Sequence, residues 1–91
     1  MLTYEDCLGL CDLSEDEIRA IAEHENLAEI AALELGHYLI QTPNGDLKIR
    51  RMILDDIAAA EARSEFAHAL RLKATMKHFI ETHPRHAAKR P

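Results

Sequence analysis

Apolar residues recur at three- and four-residue intervals through the second half of the chain. The two series are Ile49, Met52, Ile53, Ile57 and Ala60, followed by Ala69, Leu72, Met76, Phe79 and Ile80. Side chains at these spacings lie on one face of a helix, so each series predicts an amphipathic helix with one buried side. No segment alternates between apolar and polar residues as a half-buried strand would. The pattern therefore predicts an all-α fold.

The clearest helix start in the sequence is at Ser14. Ser14 can cap the helix, and Glu17 three residues later completes a capping box. Leu13 and Ile18 can pack together as the hydrophobic staple of the same helix start. We expect this helix to end at Asn26, because asparagine tolerates the left-handed conformation found just past a helix C-terminus. A second helix is then predicted over residues 28–40, and one continuous helix is the alternative.

The strongest loop signal follows the second helix, at residues 41–45. Pro43 disfavours a helical residue before it, and Asn44-Gly45 favours a tight turn. Asp46 is the predicted cap of a helix over residues 47–62, and Ser64 is the predicted cap of a last helix over residues 65–82. A break near Arg63 is expected between them, because one helix through both segments would be unusually long for a small domain.

These elements predict a small bundle of four or five helices that ends in a helical hairpin, with oligomerisation as a way to complete its modest core. The fifth helix would be a short one over residues 4–11. It would carry Cys7 and Cys11, which we interpret as inert core thiols because their spacing does not suit a disulfide. Residues 1–84 form the expected single domain, and residues 85–91 form an expected basic, flexible tail.

Composition and charge narrow the function classes. The chain has 91 residues and no apolar run of about 18 residues, which predicts no membrane span. The first 13 residues hold Glu5, Asp6 and Asp12 but no basic residue, which argues against a signal peptide and favours a cytoplasmic location. Residues 1–34 carry a net charge of −9 and residues 35–91 carry +4. Halves of opposite sign can pair within the fold or between subunits, so we expect a homo-oligomer or a protein partner.

Nucleic acid is a disfavoured partner. Residues 14–40 have the outline of a helix-turn-helix, but the second helix holds no Lys or Arg with which to neutralise phosphates. Lys48, Arg50 and Arg51 could hold an anion near a helix start. The commoner outcome is that these arginines pair with the acidic first third of the chain.

Two E-x-x-H pairs are the candidate metal ligands. Glu34 and His37 form the first pair, and Glu65 and His68 form the second. Residues three apart share a helix face, so a carboxylate and an imidazole could bind one metal ion. Glu34 projects beside a predicted apolar stripe of Leu27, Ala31 and Tyr38, and Glu65 projects onto the apolar stripe of the last helix.

Asp56 is the third candidate. It falls among the apolar residues of the helix over residues 47–62, on the predicted core face. A carboxylate buried there would need a partner, because burying an unpaired charge is costly.

The paired E-x-x-H motifs with additional inward carboxylates resemble the ferritin-like carboxylate-bridged di-iron proteins, including the short two-helix relatives that work inside encapsulin shells. The resemblance implies that iron or another divalent metal binds between subunits. It implies Glu34, His37, Glu65 and His68 as ligands, with Asp56, Glu29 or Glu61 as bridging candidates. The alternative is ordinary surface pairing of these residues, with Asp56 satisfied by a basic neighbour.

Other catalytic patterns are missing from the sequence. No residue set resembles a nucleophilic triad, and no glycine-rich phosphate loop is found. Catalysis by protein side chains is therefore not expected. We interpret the chain as a non-enzymatic protein-interaction or oligomerisation module, with a ferritin-like metal-binding protein as the alternative.

Overall fold

A computed structural model describes residues 12–84 of the chain. This part contains four helices and no strand: α1 (Glu15–Glu25), α2 (Glu29–Gln41), α3 (Gly45–Ala62) and α4 (Phe66–Thr82). The all-α prediction is therefore confirmed for the described residues. The predicted helix over residues 4–11, both cysteines and the basic tail lie outside them. None of the described helices is both long enough and apolar enough to cross a membrane.

The predicted boundaries of α1 are confirmed. The Ser14 backbone N–H donates to Glu17 Oε1 at 2.8 Å, and the Glu17 N–H donates to Ser14 Oγ at 3.2 Å, which completes the capping box. Asn26 ends the helix with a left-handed φ of 56°. The Leu27 N–H then donates back to the Ala22 carbonyl at 2.9 Å, so the chain turns and α2 begins at Glu29.

The predicted start of α3 is two residues late, and its predicted cap is wrong. The helix begins at Gly45, with Asn44 at the N-cap position in a left-handed conformation (φ 62°). Asp46 lies inside the first turn. The turn is tight enough that a Cβ atom on Gly45 would overlap the carbonyl group of Leu39 at the end of α2. Glycine lets α3 start directly against α2, which removes the need for the longer loop we predicted.

Ser64 does not cap α4 either. It adopts a left-handed φ of 60° in the turn, and Glu65 occupies the N-cap position before Phe66. The Glu65 N–H donates to the Ala60 carbonyl at 2.8 Å, so the turn folds back on the end of α3. The predicted break near Arg63 is confirmed, and the polar residue beside it bends the chain instead of capping the helix.

The core lies between the inward sides of all four helices. Its buried members are Leu13, Ile18, Ala20, Ile21, Ala32, Leu33, Leu39, Ile49, Ile53, Ile57, Leu72 and Phe79. The predicted stripes of α3 and α4 are largely confirmed, although Met52 and Met76 are only partly buried and Ile80 is 40% exposed. The predicted stripe of α2 is wrong, since Tyr38 is 64% exposed and the buried side is formed by Ala32, Leu33, Gly36 and Leu39.

The helices form a flat molecule, whose Cα atoms span 45 × 38 × 17 Å. Helix α1 contacts each of the other three helices, and α3 and α4 form the most extensive pair. Only residues 63–65 separate α3 from α4, and the two helices contact each other extensively, so we refer to this pair as the α3–α4 hairpin. One side of this hairpin contacts α1.

Candidate interaction surface

Helix α3 carries a line of exposed side chains at seven-residue spacing. The line consists of Leu47, Leu54 and Glu61, all of which are exposed. Seven residues complete nearly two helical turns, so such side chains drift by only about 20° from one to the next. They therefore lie almost in a row along the helix, away from the buried Ile49–Ile53–Ile57 side.

Helix α4 carries a matching line. Phe66, Lys73 and Ile80 are again seven residues apart and exposed, and Leu70 lies one turn after Phe66. Lys73 Nζ lies 2.8 Å from Glu61 Oε2 on α3. This ion pair joins the two lines, so they lie side by side on the same surface of the hairpin.

We call this surface the outer face. Its members are Leu47, Leu54, Glu61, Phe66, Leu70, Lys73 and Ile80. Five are large apolar residues, with exposed fractions from 40% for Ile80 to 69% for Leu70. Single exposed apolar residues are common on proteins, whereas several on one surface make that surface a candidate for an interaction site.

The opposite side of the hairpin meets α1 through a cluster of acids and imidazoles. We call Glu23, His24, Asp55, Asp56 and His68 the acid–imidazole cluster. His68 Nε2 donates to Glu23 Oε2 at 2.7 Å, which ties α4 to α1. The Nε2–H donor fits an imidazole whose Nδ1 accepts, and Arg71 Nη2 lies 3.3 Å from that Nδ1.

Asp56 lies at the centre of this cluster on α3. Its side chain is partly buried, and its Oδ2 atom has no hydrogen-bond partner among the described residues. Burial raises the pKa of Asp56 above its ordinary value, and the negative charges of Glu23 and Asp55 raise it further, while His24 and His68 oppose the shift. Asp56 is therefore partly buried rather than part of the core, and no basic hydrogen-bond partner accompanies it among the described residues.

His24 connects the end of α1 to α3. Its Nδ1 lies 2.9 Å from Glu25 Oε2, and its Nε2 lies 3.6 Å from Asp55 Oδ2. Burial alone would lower the pKa of His24, but the hydrogen bond with Glu25, the charge of Asp56 and the contact with Asp55 raise it overall. The surroundings thus favour a protonated imidazole at this junction.

A second imidazole bridge lies at the other end of α1. His78 Nδ1 on α4 is 2.8 Å from Oε2 of Glu17, whose side chain is completely buried. Between this bridge and the His68–Glu23 bridge, α1 and α4 line an open groove of about 620 Å³. Arg19, Arg71 and Thr75 also line it, so basic, acidic and hydroxyl groups share one groove.

The predicted metal ligands do not come together within one chain. Glu34 and His37 are exposed on α2, where His37 contacts Gln41. Glu65 pairs with Arg63 at 3.3 Å, and its expected companion His68 turns to Glu23 on α1. Of these residues, only Asp56 and His68 influence each other, through their charges, as members of the acid–imidazole cluster.

The bridging candidates also have other partners. Glu29 pairs with Arg19 at 3.3 Å, and Glu61 pairs with Lys73. Across residues 12–84, no three His, Cys, Asp or Glu side chains gather in a way that could hold a metal ion. A site assembled between subunits, as the ferritin-like resemblance implies, stays a prediction.

Within residues 12–84, the basic segment of α3 does not show the pairing we expected. Lys48 and Arg51 are exposed, and Arg50 is partly buried with no hydrogen-bond partner for its Nε within the described part of the chain. None of the three has an acidic partner within residues 12–84. Their role in binding an anion stays a prediction.

Several residues of these two surfaces were missed by sequence reasoning. Phe66 and Leu70 lie beside the buried stripe of α4, and their position off that stripe was a signal for a second apolar face. His68, Arg71, Thr75 and His78 recur at three- and four-residue intervals, which marked a polar edge of the same helix. No local signal could show that α1 covers this edge.

The comparisons with known proteins identify no relative. The chain matches no known protein family, and neither a curated protein nor a solved structure is significantly similar to it.

Proposed function

We propose that this chain is a non-enzymatic protein-interaction module that binds through the outer face of its α3–α4 hairpin. The single observation that carries the proposal is the heptad-spaced exposure of large apolar side chains on two adjacent helices. Leu54 is 50% exposed, Phe66 65% and Leu70 69%. Burying such side chains against a partner contributes roughly 1.5–3 kcal/mol for each one fully covered.

The distribution of the other functional groups supports this choice. The imidazoles of the acid–imidazole cluster and the groove are engaged with carboxylates of neighbouring helices. They therefore have a structural task in holding α1 on the hairpin. The large apolar side chains of the outer face make no such bridges, and 40–69% of each is exposed.

Site-specific photo-crosslinking tests the proposal. A benzophenone amino acid replaces Leu70 on the outer face, and the matched control replaces Glu34, which is exposed on α2. After irradiation of cells that express the chain at its native level, position 70 should give a discrete crosslinked protein band and position 34 should give none. If position 70 gives no band, or both positions give the same diffuse pattern, the proposal is wrong.

A further inference from the structure

The inference that follows rests on the proposed function and names the chemistry of the partner. We propose that the part of the outer face around Leu47 and Leu54 on α3 binds an acidic amphipathic helix of another protein. Two features of the basic segment of α3, which consists of Lys48, Arg50 and Arg51, carry the proposal. These are its position beside the leucines and its lack of counter-charge among the described residues.

The two arginines lie on either side of the line from Leu47 to Leu54. Arg51 follows Leu47 by four residues and precedes Leu54 by three. Arg50 follows Leu47 by three residues and precedes Leu54 by four. Residues at both spacings are neighbours on a helix surface. A partner that covers the two leucines therefore comes within reach of both arginine side chains.

The fold supplies no acidic partner for this segment within residues 12–84. Asp55, four residues after Arg51, is placed to pair with it but lies 3.6 Å from His24 Nε2 instead. Elsewhere in the described part of the chain, each Lys and Arg contacts an acid, apart from Arg71, whose contact is His68. The described fold thus pairs its cations in general but leaves those beside Leu47 and Leu54 unpaired.

The basic segment is also unfavourable for the described fold taken alone. Lys48 and Arg51 carry like charges three residues apart, and such neighbours repel each other on a helix. Lys48 lies at the end of the first turn of α3, where the helix dipole favours negative charge. The buried Nε of Arg50 has no hydrogen-bond partner among the described residues, although such donors are nearly always paired in proteins. Carboxylates of a partner would supply the missing acceptors and counter-charge.

The combination of groups favours a protein helix over other anions. Arginine forms paired N–H···O bonds with carboxylates, and the two leucines call for apolar side chains between the acids. Leucines seven residues apart match the repeat with which apolar residues recur along a second helix. Single-stranded nucleic acid stacks its bases on aromatic side chains, and α3 contains none. An anionic lipid surface would bring its headgroups against Glu61, which lies on the same line as the leucines.

Photo-crosslinking beside the leucines identifies the partner segment. Ala58 is exposed and follows Leu54 by four residues, so a benzophenone amino acid at position 58 leaves both leucines and both arginines in place. After irradiation in cells that express the chain at its native level, mass spectrometry should find a crosslinked segment of another protein. In that segment, acidic residues should accompany apolar residues that recur at three- and four-residue spacing.

A charge reversal tests the role of the basic segment. In the position-58 background, Arg51→Glu should lower the crosslink yield about ten-fold or more, because a carboxylate then faces the carboxylates of the partner. Arg63→Glu, the same change at an exposed position just past the other end of α3, is the control and should leave the yield unchanged. Purified Arg51→Glu should unfold at the wild-type temperature, since Arg51 loses no described partner. Equal losses of yield in both variants would reduce the effect to net charge and overturn the proposal.

A synthetic peptide with the crosslinked sequence tests the pairing directly. Fluorescence anisotropy measures its affinity for the purified wild-type chain and for Arg51→Glu. Replacing the acid nearest the crosslink with Lys should weaken binding to the wild type and restore binding to Arg51→Glu, because the pair is then again of opposite sign. A Lys peptide that binds both chains equally would overturn the charge pairing.

The two proposals can fail separately. If position 70 crosslinks to a protein but position 58 gives no product, or gives a segment without acidic residues, the acidic helix is wrong and the interaction module stands. A position-58 crosslink within the chain, to a second copy, to nucleic acid or to lipid overturns the acidic helix in the same way. If neither position 58 nor position 70 crosslinks to a protein, the proposed function itself fails.

Discussion

His78 Nδ1 lies 2.8 Å from Oε2 of Glu17, while the other oxygen of that carboxylate accepts the Ser14 N–H. One buried glutamate thus closes the capping box of α1 and holds α4 against the same turn. Its two oxygens serve two different elements, which explains how a fully buried carboxylate is accommodated.

Glu17→Ala should therefore lower the free energy of unfolding by about 2 kcal/mol or more, because it removes half of the capping box and leaves His78 without its carboxylate. Urea unfolding followed by circular dichroism measures the change. Glu15→Ala is the control, since Glu15 is exposed and pairs only with Arg19 among the described residues. That variant should change stability by about 0.5 kcal/mol or less. Equal losses in the two variants would contradict the double role of Glu17.

The stability that His24 contributes should be lost as the pH rises above about 6.5. The pKa of His24 is raised in the folded state, so its contribution is fully present below its ordinary unfolded value of about 6.5. It is lost as the pH rises through the folded-state value. His24→Gln should flatten this decline in thermal melts between pH 6 and about 8.5. His37→Gln, at an exposed histidine next to Gln41, should retain the wild-type slope, and a wild-type profile in His24→Gln would refute the assignment.

Asp56→Asn should stabilise the protein at pH 7. The pKa of Asp56 is raised by burial, so its ionised form costs more in the folded state than in the unfolded chain. This cost develops as the pH rises above the ordinary value of about 3.9, and it is complete once the pH has passed the raised folded-state value. The variant should therefore melt at a higher temperature at pH 7, and the gain should shrink towards pH 3. Asp55→Asn, at the exposed neighbouring position, should give no such gain.

Gly45→Ala should destabilise the fold by about 3 kcal/mol or prevent folding, because the added Cβ would overlap backbone atoms of Leu39 that cannot move independently. Gly36→Ala is the matched comparison. There the added Cβ would meet the ends of the Leu13 and Ile21 side chains, which can shift. Replacing a glycine inside a helix also gains about 1 kcal/mol in helix propensity, so Gly36→Ala should be close to neutral. Denaturant unfolding of both variants decides whether the backbone contact is what distinguishes the two sites.

Metal content separates the proposed function from the ferritin-like alternative. We expect untagged protein purified without chelator to hold only background iron, manganese and zinc, because Glu65 and His68 turn to different partners. Elemental analysis before and after incubation with ferrous iron checks this. Stoichiometric iron that disappears in both Glu34→Ala and Glu65→Ala would revive a metal site between subunits.

The features predicted best from the sequence are those that depend on interactions between residues close together in the chain. The capping box of Ser14 and Glu17, the stop at Asn26 and the buried sides of α3 and α4 all depend on interactions within a few turns. The caps of α3 and α4 were wrong for a different reason. Gly45 packs against the backbone of Leu39, and Ser64 donates its N–H to the end of α3, and such contacts with the preceding helix do not appear in local propensity.

The candidate surfaces were harder to predict than the helices. The inward position of Asp56 was predicted from periodicity, but its neighbours His24 and His68 come from two other helices. His68 had a nearer candidate partner in Glu65, and the fold gives it Glu23, 45 residues away. Tyr38 was placed on an apolar stripe that the structure leaves exposed, because α2 buries a different side.

All three connections between the described helices are three residues long, at positions 26–28, 42–44 and 63–65. Closing such short loops costs little conformational entropy, so helices that are adjacent in sequence can pack against each other readily. Folds that are rich in such local contacts tend to fold rapidly. The α3–α4 hairpin, the most extensive helix pair, should form early in this process. Its outer face would then be accessible to a partner before α1 is locked in place.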